Sequence, residues 1–352
     1  MKNQVSIGNV KIGGGAPISV QSMTNTKTED VNSTLSQIES LYKAGCDIVR
    51  VSVYNVEAAE AVKKLVDKSP VPLVADVHFD ARLAIKTVEN GIHKLRINPG
   101  NIQRKEDVAL LADCAKMHGI PIRIGVNSGS IPEDVYRAFG GASPKAMVES
   151  ARRHITLLEE CGFYDIVLSI KSSDVENMVK ATRLAYDSFP YPLHLGVTES
   201  GLPGRGTIKS AIGIGSLLLD GIGDTIRVSL AGSPIPEAKA AMDILKALNL
   251  RKGVELIVCP TCGRTNIDVE KIAREVEQKT EHIDYNVKIA IMGCVVNGPG
   301  EAKGADIALC GGKGSAALYV DGKFSRKIED NYVGELLSTL DIWHKQNEGN
   351  NE

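Results

Sequence analysis

The sequence predicts an α/β protein: a (β/α)8 TIM barrel over residues 1–250, followed by a small α+β domain over residues 251–352. Three observations carry this prediction. Short β-rich runs alternate with longer stretches of helical period as far as about Leu250, the runs number eight, and a polar stretch, Asn249-Leu250-Arg251-Lys252-Gly253, divides them from a second set of elements. Strand–helix alternation gives parallel strands joined by right-handed crossovers. Eight such units in about 250 residues match the size of a closed barrel.

The eight runs are Ile18–Met23, Asp47–Val53, Pro72–Val77, Lys94–Asn98, Ile120–Asn127, Asp165–Lys171, Pro192–Thr198 and Thr225–Leu230. Between them, segments such as Lys145–Cys161 place Met147, Ala151, Ile155, Leu158 and Cys161 at three- and four-residue spacing, one apolar stripe of a helix. The last barrel helix is expected over Pro236–Leu248. An open doubly wound sheet would need a glycine fingerprint after its first strand, and Gln21-Ser22-Met23-Thr24-Asn25 has no glycine. Gly13-Gly14-Gly15 precedes that strand, and Gly311-Gly312-Lys313-Gly314-Ser315 misses the spacing of a phosphate loop. In the second domain, strands are expected at Val254–Val258, Val287–Met292, Asp306–Leu309 and Ala316–Val320, with helices at Ile267–Gln278 and near Asn331–His344.

Composition narrows the partners. Lys+Arg 41 against Asp+Glu 43 gives a net charge of -2, so no strongly basic surface offers itself to nucleic acid. The aromatic share of 4% with one Trp argues against base-stacking platforms. No uncharged apolar run reaches the roughly 20 residues of a membrane span, and no signal-peptide segment opens the chain, which reads as a cytoplasmic protein without membrane contact. Seven cysteines, an odd number, fit reduced thiols. Cys46, Cys114 and Cys161 fall in apolar helical patterns; Cys259, Cys262, Cys294 and Cys310 cluster in the last hundred residues.

Barrel active sites form where the strands end. Arg50-Val51-Ser52, Arg96-Ile97-Asn98, Arg123-Ile124-Gly125 and Arg227-Val228-Ser229 each put an Arg and a small or polar residue on one strand face, with a β-branched residue on the other. Lys171 ends a fifth strand with Ser169 on its face, and Asp76, His78, His194 and Thr198 obey the same parity. Five cations converging on one mouth repel unless a polyanion joins them, and arginine suits bidentate contact with phosphate oxygens. Asp76 and Glu199 are too few to neutralise them. Backbone donors at Gly204-Arg205-Gly206 and Gly232-Ser233 follow strands seven and eight, where barrels often bind phosphate. A small phosphorylated or diphosphorylated substrate is expected.

Cys259-Pro260-Thr261-Cys262 lets two thiolates grip one metal centre, a spacing shared by zinc ribbons, redox disulfides and iron–sulfur clusters. For the isolated pair zinc comes first. The third thiol, in Gly293-Cys294-Val295-Val296-Asn297-Gly298-Pro299-Gly300-Glu301, lies in a glycine-rich loop whose backbone can approach a bulky inorganic centre, whereas a zinc ribbon wants a second close pair. Three thiolates and the weaker oxygen ligand Glu301 would leave one exchangeable position on a cluster.

The phrases Cys259-Pro-Thr-Cys262-Gly-Arg and Gly293-Cys294-Val-Val-Asn-Gly-Pro-Gly-Glu301-Ala, with Val20-Gln-Ser-Met-Thr24 and Lys94-Leu-Arg-Ile-Asn-Pro-Gly100, closely resemble the bacterial hydroxymethylbutenyl diphosphate synthase family of the methylerythritol phosphate isoprenoid pathway. The resemblance covers nearly the whole chain. It implies a TIM barrel followed by an iron–sulfur domain like those of nitrite and sulfite reductases. Cys259, Cys262, Cys294 and Glu301 would bind a 4Fe-4S cluster, with Glu301 displaced from the unique iron when substrate arrives. It implies that Arg50, Arg96, Arg123, Lys171 and Arg227 hold the diphosphate of methylerythritol cyclodiphosphate, helped by His78, Asn98, Asn127 and Ser229, with Asp76, Thr198 and Glu199 also at the site.

The implied reaction opens the cyclic diphosphate, removes a hydroxyl as water and adds two electrons, drawn singly from flavodoxin or ferredoxin. Glu199 is the candidate proton donor, on the expectation that burial after strand seven favours its protonated form. Barrel helices run antiparallel to the strands, so the chain leaves its eighth helix roughly 20 Å from the active face with only a short linker. A head-to-tail homodimer, each cluster domain closing the other chain's mouth, is therefore expected, and the resemblance implies the same. The alternative is a phosphate-substrate barrel lyase or transferase with a structural zinc module, or a zinc-stapled docking module.

Overall fold

The computed structural model describes residues 2–78, 80–97, 104–296 and 298–347. Two compact units divide the chain, Met1–Leu248 and Asn249–Glu352. The first opens with a feature not foreseen from the sequence, an antiparallel hairpin of β1 (Val5–Ile7) and β2 (Val10–Ile12). Its turn, Gly8-Asn9 between alternating apolar residues, is a recognisable hairpin signal. Val5, Ile7 and Ile12 pack on Ile48, Val74 and Val167 at the starts of barrel strands, so the hairpin plugs the bottom of the barrel.

The barrel strands are β3 (Ser19–Met23), β4 (Ile48–Val53), β5 (Leu73–Val77), β6 (Lys94–Ile97), β7 (Ile122–Asn127), β8 (Ile166–Lys171), β9 (His194–Leu195) and β10 (Thr225–Ile226). All pair in parallel in chain order, β10 pairs with β3, and a bridge between Leu168 and Leu193 closes the ring. β9 and β10 are shorter than the expected runs; Arg227 N still donates to Leu195 O at 3.0 Å, after which the chains leave the ladder. The surrounding helices are α1 (Val31–Lys43), α2 (Val56–Lys68), α3 (Ala81–Glu89), α4 (Lys105–Met117), α5 (Glu133–Ala138), α6 (Pro144–Glu160), α7 (Val175–Ser188), α8 (Arg205–Leu219) and α9 (Ile235–Ala247). Side-chain caps fix several starts: Asp30 accepts from Ser33 N, Asn55 from Ala58 N and Asp174 from Asn177 N. The outward strand residues, such as Val49, Val51, Leu95 and Ile124, join the helices' apolar stripes in one continuous core. That leaves the inward residues to define the mouth.

In the second unit, β11 (Val254–Val258), β12 (Val287–Met292), β13 (Ile307–Gly312), β14 (Ser315–Val320) and β15 (Lys323–Ile328) form one sheet in chain order, parallel from β11 to β13 and antiparallel thereafter. β15 escapes notice in the sequence because its outer-edge residues Lys323–Lys327 are exposed and lack apolar alternation. Helices α10 (Val269–Thr280) and α12 (Tyr332–Asn347) pack Ile272, Val276, Leu336, Leu340 and Trp343 on Ile289, Ile291, Leu309 and Leu318; the short α11 is Gly298–Ala302. Cys310 is fully buried within β13. Cys46 is also buried but lies in the turn before β4, not in a helix, and Cys161 is the half-buried cap residue of α6. No helix among the described residues is long and apolar enough to cross a membrane.

Candidate active site

Strand register builds the mouth. Ser52, Asp76, Arg96 and Arg123 are successive Cα partners across β4–β7, so they stand at one level of the barrel wall; Arg50, Val74 and Lys94 form the level beneath. Arg50, Arg96, Arg123 and Lys171 are all buried. Asp76 braces two of them: its Oδ1 accepts from Arg96 Nη1 at 2.8 Å and its Oδ2 lies 3.8 Å from Arg50 Nε, while His78 Nε2 is 3.4 Å from Oδ1. Burial pushes the Asp76 carboxyl up, but Arg50, the His78 hydrogen bond and Arg96 together outweigh it and hold the group well below the ordinary carboxylate range.

Arg227 is braced from outside the strand set. Glu237, in the first turn of α9 and buried, lies 3.3 Å from Arg227 Nη2 and also accepts from Ser22 Oγ at 3.0 Å and Leu230 N at 2.9 Å. Met23 Sδ sits 2.8 Å from Arg50 Nη2 and 3.8 Å from Arg227 Nη1, between the two guanidiniums. Loss of hydration, then repulsion from Arg227, lowers Arg50 to about 9, which leaves it charged at neutral pH; Asp76 opposes the shift. Burial, then repulsion from Arg227, Arg123, Arg50 and Arg96, pushes Lys171 well below the ordinary lysine range; among the described residues no carboxylate forms an ion pair with it or with Arg123, on which Asp76 acts only at longer range. Gly196 makes room here, since a Cβ would fall 2.5 Å from Arg227 O and 2.9 Å from Lys171 Nζ.

Around this core Asn127, Thr198 and Ser229 are half-buried at strand ends, and His78 is exposed. Asn98 lies outside the described residues. Two expectations need correction. Glu199 is exposed, on left-handed backbone with φ 52, not buried after strand seven as expected, and among the described residues it makes no ion pair with the arginines. Gly206 N is already bonded to Leu202 O at 2.9 Å, which removes it as a free donor. Sequence reasoning also missed two residues. Glu237 carries no parity signal because it is on a helix. Lys94 does carry one, two residues before Arg96 on β6, and it is wholly buried.

In the second unit the cysteine loops are laced together. Cys259 N donates to Ile291 O at 3.1 Å, Gly293 N donates to Cys259 Sγ at 3.1 Å, and Asn266 N donates to Gly293 O at 2.8 Å. Cys259 and Cys294 are half-buried and Cys262 exposed; the Arg264 backbone N–H is the chief reason the Cys262 thiol lies below its ordinary range. Glu301 is exposed on α11. A Cβ at Gly293 would meet Thr265 Cγ2 at 2.8 Å, so glycine permits the close loop approach. Free thiols with N–H groups aimed at sulfur suit a soft polynuclear centre. Among the described residues no three His, Cys, Asp or Glu side chains converge on one point.

Residues 2–242 match the model of the GcpE TIM-barrel domain, and residues 255–341 that of the GcpE protein C-terminal domain. The chain belongs to the GcpE family. Among GcpE relatives, the chain is 53% identical over 96% of its length, and 97% of the relative's, to a Clostridium perfringens protein named 4-hydroxy-3-methylbut-2-en-1-yl diphosphate synthase (flavodoxin). A Clostridium tetani protein of the same name is 55% identical over 95% of this chain and 96% of its own. Of solved structures, Yersinia pestis dihydropteroate synthase superposes with a TM-score of 0.50 at 14% identity, covering 71% of this chain and 99% of that one, a likeness of barrel fold alone.

Proposed function

We infer that the chain catalyses reductive ring opening of 2-C-methyl-D-erythritol 2,4-cyclodiphosphate to 4-hydroxy-3-methylbut-2-enyl diphosphate in isoprenoid biosynthesis, with electrons from flavodoxin or ferredoxin. The observation that carries this is the buried set Arg50, Arg96, Arg123 and Lys171, with Arg227 beside it, in a chain more than half identical to relatives bearing the name of that reaction. In balance, the ring C–O bond breaks with its electron pair on the phosphate oxygen, a hydroxyl leaves as water with one added proton, and two electrons complete the carbon–carbon double bond.

Arg50, Arg96, Arg123, Lys171 and Arg227 bind the diphosphate. Because the strands fix these cations before substrate arrives, charge moving onto the leaving phosphate oxygen meets donors already in place. Asp76 and Glu237 orient the guanidiniums that they pair with. His78, Asn127, Thr198 and Ser229 orient the substrate at the rim, Asn98 is expected to assist them, and Glu199, exposed at the same rim, is the proposed donor of the proton to the departing hydroxyl. Cys259, Cys262, Cys294 and Glu301 would hold a 4Fe-4S cluster, which when bound supplies electrons singly and a Lewis-acidic iron.

The assembly proposed is a head-to-tail homodimer in which the second unit of one chain closes the barrel mouth of its partner. What supports it is the end of α9: Met242 packs on Gly45, just before β4, so the helix ends at the barrel face opposite the cation mouth. The cytoplasm suits a chain with seven free cysteines. The test is turnover of the cyclic diphosphate by anaerobic protein with reduced flavodoxin. Mixed Cys294→Ser and Arg123→Ala subunits should be more active than either variant alone. A chain with a full cluster that fails to turn over the substrate would overturn the assignment, and verified heterodimers without activity would overturn the assembly.

A further inference from the structure

The barrel interior beneath the mouth holds five side-chain atoms with no hydrogen-bond partner among the described residues: Lys94 Nζ, Arg123 Nε, Gln21 Nε2, His194 Nε2 and Ser19 Oγ. Each of these residues is 3% exposed or less. They stand together. Arg123 Nη1 donates to Gln21 Oε1 at 3.3 Å, Arg123 and Lys94 both act electrostatically on His194, and Ser19 is the Cα partner of Thr225, whose hydroxyl lies 3.4 Å from His194 Nδ1. Lys94 is two residues below Arg96 on β6, about 7 Å deeper along that strand and level with Arg50.

Buried polar groups are almost always satisfied, by protein or by an ordered occupant. An arginine Nε, an amide nitrogen and an ammonium only donate, so the occupant must accept. Charge says the same. Arg50, Lys94, Arg96, Arg123, Lys171 and Arg227 face only Asp76 and Glu237 among the described residues, and a cyclic diphosphate, with one charge on each phosphoryl group, leaves the interior positive.

We propose that the barrel holds a small inorganic anion, chloride under ordinary conditions, on Lys94, Arg123, Gln21 and His194 beneath the diphosphate site. The inference rests on the donor set alone and stands whether or not the cyclic diphosphate is the substrate. Burial, then Arg123 and Arg50, push Lys94 well below the ordinary lysine range; the anion offsets this and keeps the ammonium.

Crystals of the full chain with its metal centre, grown in bromide in place of chloride, test it by anomalous scattering. A bromide peak in contact with Lys94 and Arg123 is expected, and it should persist when inorganic pyrophosphate occupies the mouth. A peak that pyrophosphate displaces assigns the donors to the substrate site, and a water with no halide signal assigns a neutral Lys94; either result overturns the proposal. In solution, replacing gluconate by chloride at constant ionic strength should raise the barrel's melting midpoint by about 5 °C at a hundredfold excess over the dissociation constant. Lys94→Met should abolish that rise, and an undiminished rise in the variant refutes the site. Should Lys94→Met not fold, the bromide experiment decides by itself.

Discussion

Replacing Asp76 by Asn removes a buried charge while keeping the side chain's volume. Arg96 then loses its 2.8 Å ionic hydrogen bond and Arg50 its carboxylate at 3.8 Å, and both guanidiniums remain desolvated. Removing one partner of a buried pair costs about 3–5 kcal/mol, or a fall of roughly 10 °C in the melting midpoint of a unit this size. The pH dependence fixes the cause. A carboxyl held below its ordinary range contributes stability that is fully present above the unfolded value near 4 and is lost as pH falls through the folded value. The gap between the two proteins should therefore be widest at neutral pH and narrow below about pH 4. Far-UV dichroism follows the barrel, while fluorescence of the single Trp, Trp343, follows the second unit and should be unaffected. A gap under about 1 kcal/mol, the scale of an exposed pair, or one independent of pH, would refute Asp76 as the brace of the ring.

Arg123→Met removes a buried cation that forms no ion pair with a carboxylate among the described residues, so in gluconate, without chloride, the barrel should melt no lower than wild type while KM for the cyclic diphosphate rises about 30-fold or more; a lowered midpoint there with unchanged KM contradicts this. Arg227→Met strips Glu237 of its cation and should destabilise the barrel by about 3 kcal/mol in urea titration. Gly196→Ala drives a Cβ into the Arg227 carbonyl and toward Lys171 Nζ, so kcat/KM should fall at least about tenfold, a shift of roughly 1.4 kcal/mol, with the midpoint falling too. Normal kinetics would show that β9 and β10 can part freely. Ile7→Ala opens a cavity in the bottom plug and should cost about 2–5 kcal/mol with KM unchanged; an altered KM would place the hairpin in the substrate site.

Period and parity made most of this molecule legible. The alternation of apolar runs fixed the barrel because each buried strand must be covered by the next helix. The repeated pairing of Arg with a small or polar residue two positions on placed Arg50, Arg96, Arg123 and Arg227 on inward faces, and register then sets Arg96 and Arg123 at one level with Arg50 one level beneath. What escaped was set by tertiary contact. Glu237 reaches Arg227 from a helix, β15 is an exposed edge, and β1–β2 earns its place only by capping Ile48, Val74 and Val167. Glu199 lies at a rim position whose exposure depends on the left-handed turn that carries it, which a strand pattern does not encode.

Iron and acid-labile sulfide content of protein purified without oxygen bears most directly on the central claim. About four of each per chain, with a visible absorption band bleached by reduced flavodoxin, is the predicted result. Stoichiometric zinc in protein produced with ample iron would contradict it, and would make the Cys259–Cys262 loop a structural staple rather than the port through which electrons enter.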